Sequence, residues 1–307
     1  QKVVICYQDE DNSDYCSAIV GTVDSSDNSI SFGSETNFGD PCYQTRIAYD
    51  ANAQKVVVVY RRKSDHHGRA AVGTISGTSI SFSSASTFNS GYCDYFAVEY
   101  DKGAQKTVIA YRDYNDSNRR GFVTVCTISS TSISFGTEVA LGNYATNFAL
   151  AYDDNASKLA VFYVRSFTSR GRVISISGTT PSFGTEADTG IWESGSRGGD
   201  VAYDTNAQKL VFVAKDNSST YVEYVIGTIS GTDISFNTPV AVNSNSVSHP
   251  NIAYVDGSVV TVFVDTANSN DGDYVVFNIA YSLTRSLTAE NFIGVSDAAY
   301  SDGQTVT

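Results

Sequence analysis

Ala48–Phe82 reads AYDANAQKVVVVYRRKSDHHGRAAVGTISGTSISF, and the rest of the chain is a set of variations on it. Its Ala-Tyr-Asp step, at Tyr49, returns around Tyr100, Tyr152, Tyr203, Tyr254 and Tyr300, with spacings of 51, 52, 51, 51 and 46 residues. Its Ser-Phe step recurs at Phe32, Phe82, Phe135, Phe183 and Phe236. A period of about 50 residues sustained from end to end marks a repeat array.

The content of one period decides the kind of array. Arg46–Asp50, Lys55–Tyr60, Arg69–Ser76 and Ser79–Phe82 are short runs of β-branched and aromatic residues bounded by Gly, Asn, Asp and Ser, and nothing recurs at the helical spacing. One repeat therefore reads as four antiparallel strands, A to D, joined by hairpins. Strand B is apolar on both faces, as Val56, Val57, Val58 and Val59 require. A four-stranded sheet cannot bury both faces alone, and stacking such sheets radially is the β-propeller solution. The expected fold is all-β, a single six-bladed β-propeller of four-stranded antiparallel blades.

Taken in order, the blades are expected at about 1–41 together with 296–302, then 42–93, 94–145, 146–197, 198–248 and 249–290. Gln1–Tyr7 matches Gln54–Tyr60, so the chain opens at strand B of a blade that lacks strand A. Ala299–Thr307 (AYSDGQTVT) copies Ala253–Thr261 (AYVDGSVVT), which suggests a C-terminal strand joining the N-terminal blade. The start at Gln1, in mid-repeat, suggests a mature or excised fragment.

Repeats of one chain can be compared with each other. The A–B turns (DANAQK, DKGAQK, DDNASK, DTNAQK) and the C–D turns barely change, whereas the B–C loops and D–A links change in length and content. In an up-and-down sheet these two sets lie at opposite ends. The variable end is the expected binding face, since binding residues gather on loops carried by a rigid scaffold.

That end has a distinctive charge pattern. The chain carries a formal charge of −13, yet eleven of its 20 basic residues (Arg61, Arg62, Lys63, Arg69, Arg112, Arg119, Arg120, Arg165, Arg170, Arg172 and Lys215) fall in consecutive B–C segments. An acidic chain argues against nucleic acid as partner. A local arginine sector suits the carboxylate or phosphate groups of a glycan or anionic surface polymer. Arg61, Arg62, His66, His67, Arg69, Arg112, Tyr114, Arg119, Arg120, Arg165, Arg170, Trp192 and Arg197 are the expected ligand-binding residues. Trp192, the chain's single Trp, stands in the long Gly-rich link 189–200.

Catalytic signals are weak. Glu35, Glu138 and Glu186 hold the same place in three repeats and read as repeat features, not as a general acid or base. There is no G-x-S-x-G elbow. No metal or cofactor is expected: His66 and His67 are adjacent, and residues 9–14 lack the sixth-position Gly and distal Glu of a calcium loop. Five cysteines give no framework; Cys6 and Cys16 could pair across the first B–C hairpin, with free thiols as the default. No apolar run reaches the length of a membrane-spanning helix.

The repeat core AYDxNAQKVVxxY…GTISGTSISFG, with the closing SLTAENFIGVSDAAYSDGQTVT (Ser286–Thr307), resembles repeat-rich proteins of marine and cyanobacterial bacteriophages and related environmental sequences. Many of these are tail or fibre components, and in them the closing stretch leads into a further domain. The resemblance implies a virion, extracellular or cell-surface location. The expected function is accordingly a non-enzymatic binding module, an adhesin that recognises a surface glycan through the variable rim. A sialidase-like glycoside hydrolase or lyase and a structural spacer are the alternatives.

Overall fold

The computed structural model describes residues 1–27, 29–193, 198–268 and 271–279, and all its regular structure is β-strand. Residues 280–307, and with them the expected closing strand, lie outside the described residues. Each repeat folds as one meander. In the second, strand A is the latter part of Thr36–Asp50, B is Lys55–Arg62, C is Gly68–Ser76, and D is split into Ser79–Phe82 and Ser86–Asn89, both paired with C. Outer strands of the third, fourth and fifth repeats are split in the same way, giving three five-stranded sheets, and the sixth repeat shows three strands. The long strand Thr36–Asp50 pairs with Tyr15–Val23 at one end and Lys55–Arg62 at the other, fusing the first two repeats into one eight-stranded sheet.

Contacts group the described residues into two compact units, unit 1 being 1–145 with 175–182 and unit 2 being 146–174 with those from 183 to 279. Within each, sheets pack face to face as the doubly apolar B strands demand. In unit 1, Val56, Val58 and Tyr60 pack with Ala18, Val20 and Phe38 of the first repeat. Their alternates Val57 and Val59 pack with Phe96, Val98 and Ile109 of the third. In unit 2, Phe162 stacks on Phe212 at 4.8 Å between centroids, while Val211 and Val213 turn the other way onto Val259 and Phe263. Each such buried side chain contributes about 1.5–3 kcal/mol of transfer free energy.

The invariant A–B turns are explained by one aspartate. Asp50, Asp101, Asp153 and Asp204 are buried and accept backbone N–H bonds from Ala53, Ala104, Ala156 and Ala207 at 2.8–2.9 Å. The turn then needs a residue in the left-handed region, supplied by Gln54, Gln105, Ser157 and Gln208.

The recurrent glutamates also have a structural role. Tyr111 donates to Glu138 and Tyr163 to Glu186, each joining strand B to the break in its own outer strand, and Tyr7 pairs with Glu35 likewise. Where the fifth repeat has Ala214 in place of the tyrosine, it has Pro239 in place of the glutamate. The second repeat keeps Tyr60 but has Ala85; the Asp40 backbone approaches the buried Tyr60 hydroxyl without completing a hydrogen bond. Tyr111→Phe should therefore lower stability by about 1–2 kcal/mol, while Tyr60→Phe should be neutral or slightly stabilising. Equal losses in chemical denaturation would contradict this account.

The cysteine expectation is corrected. The first B–C hairpin is centred on Asn12, since Asp9 pairs with Tyr15, so Cys6 faces Ala18 and Cys16 faces Gln8. Cys16 instead forms a disulfide with Cys42, Cα to Cα 5.6 Å, tying strand C of the first repeat to the link that follows it. Cys6, Cys93 and Cys126 are free thiols.

Candidate functional site

In the second, third, fourth and sixth repeats strand A enters its sheet at the variable end through a β-bulge. The register slips between Tyr43 and Arg46, opposite Ala110/Arg112, between Thr146 and Ala149, and between Ser248 and Asn251. The bulged residues Gln44, Tyr95, Asn147 and His249 all have φ of 54–55°. Bulges re-aim side chains and are enriched beside functional sites. In unit 1, the Gln44 side chain reaches the next bulge, accepting from Tyr95 N at 3.1 Å.

An aspartate at the end of strand B, or just past it, ties loop to link. Asp113 accepts from Asn115 N (2.9 Å) in its own loop and from Asn89 Nδ2 (3.1 Å) in the preceding link. Asp216 does the same with Ser218 N (2.7 Å) and Trp192 N (2.9 Å), and Asp265 with Ala267 N (2.8 Å) and Asn245 Nδ2 (3.0 Å). In the second repeat the polarity is inverted: Arg62 binds Asp65 in the loop and Asp40 in the link.

Several of the expected basic residues have carboxylate partners within the protein. Arg112 is forked onto Asp94, with Nε to Oδ1 at 2.7 Å, and Arg120 onto Asp116 at 2.6 and 3.0 Å. Lys63 is paired with Asp14, Arg165 with Glu186 at 2.5 Å, and Arg170 with Asp188 at 2.9 Å. The guanidinium of Arg62 holds the Asp65 carboxyl well below the usual carboxylate range, and Arg120 brings that of Asp116 down to about 2. His67 faces Asp65, Nδ1 to Oδ2 at 3.0 Å. These cations are engaged by carboxylates of the protein, some from the same loop (Asp65, Asp116) and others from more distant segments (Asp14, Asp94, Glu186, Asp188). Arg197 lies outside the described residues.

Two groupings remain, one in each unit. In unit 1, Arg61 lies between the rings of Tyr43 (4.8 Å) and Tyr92 (5.0 Å) and donates to Tyr92 Oη at 2.9 Å. His66 stacks on Tyr92 at 4.6 Å, and Tyr92 meets Tyr114 at 5.3 Å. Arg119 covers Tyr114 at 4.2 Å, and Arg112 reaches Tyr95 at 4.6 Å and Tyr114 at 5.2 Å. The structure thus brings Arg61, His66, Arg112, Tyr114 and Arg119 into one row of rings and cations. Arg69 stands apart on strand C, beside Tyr60. Tyr43, Tyr92 and Tyr95 were missed in sequence, because their links carry no repeated pattern.

In unit 2, the short loop between Lys158–Arg165 and Thr168–Ser177 turns through Ser166 (φ 54°) and Phe167 (φ 64°), a left-handed conformation that costs a phenylalanine energy. Phe167 is 63% exposed and Trp192 45% exposed. Between their segments, Glu193 donates its backbone N–H to Phe167 O at 2.8 Å while its side chain is buried, 5% exposed. Burial pushes the Glu193 carboxyl up to about 7, against the opposing hydrogen bonds from Ser169, whose Oγ lies at 2.8 Å, and Asn147. Glu223, beside Asp216, is raised by burial and then by the charge of Asp216. A carboxyl raised toward neutrality by burial, as that of Glu193 is, can hold and release a proton near physiological pH, and its own segment carries the exposed Trp192. Trp192 drew attention in sequence, with Glu193 noted beside it; the burial of Glu193 gave no signal there, because it depends on how the link packs onto strand C of the same repeat.

No protein-family model matches the chain and no curated protein matches it. Solved structures do. A protein from Lactobacillus plantarum superposes with a TM-score of 0.57 at 11% identity, over 91% of this chain and 81% of that one. Trypanosoma rangeli sialidase, as its covalent intermediate with 2,3-difluorosialic acid, gives 0.56 at 12% over 91% and 52%, so this chain spans about half of that enzyme's length. Kuenenia stuttgartiensis hydrazine synthase gives 0.53 at 12% over 87% and 80%. Likeness at this identity establishes the all-β, propeller-type architecture of the repeats. It also overturns the expectation that the chain is no enzyme: two of these three structures on the same scaffold are catalysts, so the missing sequence boxes gave no ground for excluding catalysis.

Proposed function

We propose that the protein acts on glycans, as a propeller of the glycoside hydrolase or lyase kind, and that its variable loop ends hold the carbohydrate. The observation that carries this reading is Glu193, a buried carboxyl with a raised pKa on a segment that carries exposed Trp192 and hydrogen-bonds through its backbone to that of exposed Phe167. Glycosidases need a carboxylic acid that stays protonated near neutral pH to protonate the leaving oxygen, and aromatic faces to stack on the sugar. The trypanosomal sialidase supports the reading to the extent that a similar scaffold carries such chemistry there. The Cys16–Cys42 disulfide supports a virion-surface or extracellular location, where disulfides persist. Closure of six blades by the C-terminal repeat copy belongs to the same proposal.

The test is a panel of neutral, uronate and sulfated polysaccharides, followed by reducing-end release and by the absorbance of unsaturated products. Turnover of at least one polymer is expected, falling as pH rises through about 7, where the Glu193 carboxyl loses its proton. Absence of turnover and of measurable binding across the panel would end the reading.

A further inference from the structure

The rings and cations of unit 1 are more specific than a general carbohydrate surface. Lys63, Arg62, Arg112 and Arg120 each have a carboxylate of their own. Arg61 and Arg119 have none among the described residues. Arg61 spends one N–H on Tyr92 Oη, but its Nε is buried and has no acceptor in the protein; His66 Nδ1, on the ring stacked against the same tyrosine, is buried without a partner too. A buried donor left unpaired costs about 1–3 kcal/mol, and such groups in native proteins point to something that pairs with them. Arg119 lies on the next ring, Tyr114, itself 40% exposed, so an uncompensated guanidinium stands on each side of the Tyr92–Tyr114 contact.

We propose that this row is a site for the acidic group of a sugar residue, carboxylate or sulfate, seated beside Tyr92 with Arg61 and His66 facing it and Arg119 closing over it. The inference rests on the reading that the protein engages glycans and adds to it the class of sugar. A guanidinium offers two parallel donors matched to the paired oxygens of either group, and an anion lying beside stacked rings excludes the water that would screen it. Tyr114 supplies the apolar face on which the sugar ring lies.

The experiment measures binding of oligogalacturonate, a sulfated dextran and neutral dextran by titration calorimetry at low salt, with wild type, Arg61→Gln, Arg119→Gln and Lys55→Gln. Lys55, at the A–B turn, makes the same charge change at the opposite end of the sheet. The acidic ligands should bind at least tenfold more tightly than neutral dextran. Arg61→Gln and Arg119→Gln should each lose about tenfold for them, and Lys55→Gln should lose nothing. The uronate and sulfate arms identify which acidic group is preferred. Arg119 is an exposed loop residue, so its variant remains informative if Arg61→Gln folds poorly. Equal affinity for neutral and acidic dextran, or an equal loss in Lys55→Gln, would overturn the acidic site while leaving glycan engagement standing. No binding by any polymer would remove both.

Discussion

Asp50→Ala should lower the free energy of unfolding by about 3 kcal/mol, from two orphaned donors of about 1.5 kcal/mol or more each. The carboxylate is 1% exposed, and it accepts from Ala53 N at 2.8 Å and from Thr107 Oγ1 of the third repeat at 2.9 Å. Alanine leaves the turn without its acceptor and the buried threonine hydroxyl without its partner in the neighbouring sheet. Asp50→Asn keeps one oxygen for the turn, and the hydroxyl can rotate to accept from the new amide, so a loss of only about 1 kcal/mol is expected. Because Trp192, the single Trp, lies in unit 2, the unit 1 transition is best followed by far-UV circular dichroism in denaturant. A shift in Asp50→Ala below about 0.5 kcal/mol, the range of ordinary surface changes, would show that the turn is held by its backbone alone.

The same aspartate shows what the sequence makes legible. A DxxAxK turn repeated four times, a B strand apolar on both faces and a constant Ser-Phe step each follow from local rules: turn chemistry, the two-residue period of a strand, and the need to cover two faces. They were enough to read an all-β repeat array with its variable loops at one end. The functional surface was less legible because its groups meet across register and between sheets. Arg112 and Arg165 look like anion-binding residues until Asp94 and Glu186 are seen to occupy them. Arg61 looks the same in sequence, yet it lies between two rings that come from two different links. The disulfide was misassigned by a one-residue error in the centre of a hairpin, which moved the facing partner by two. The paired loss of Tyr and Glu in the fifth repeat, Ala214 with Pro239, was visible all along. It could have been used, since two positions that change together within one chain are candidates for contact.

Glu193→Gln should separate stability from chemistry most sharply. The carboxyl is weaker in the folded protein, with a midpoint at about 7 against an ordinary 4.5, because burial disfavours its charge. The native state therefore holds a proton that the unfolded chain releases, and the group costs stability as pH rises through this window. Below about 4.5 both states are protonated and the cost vanishes; above 7 it is complete, about 3 kcal/mol at 1.36 kcal/mol per unit. Glutamine keeps an oxygen for the Ser169 hydroxyl and cannot ionise, so the variant should match wild type near pH 4.5 and exceed it by up to about 3 kcal/mol in alkaline buffer. Fluorescence of the adjacent Trp192 reports this transition directly. On a glycan substrate the same change should cost about 10²- to 10⁴-fold in kcat, the usual contribution of a general acid. A variant more stable at high pH with turnover intact would make Glu193 a buried structural acid and move the chemistry elsewhere. Equal stability of the two proteins at every pH would mean that the carboxyl is not desolvated, and the acid proposed for catalysis would lose its physical basis.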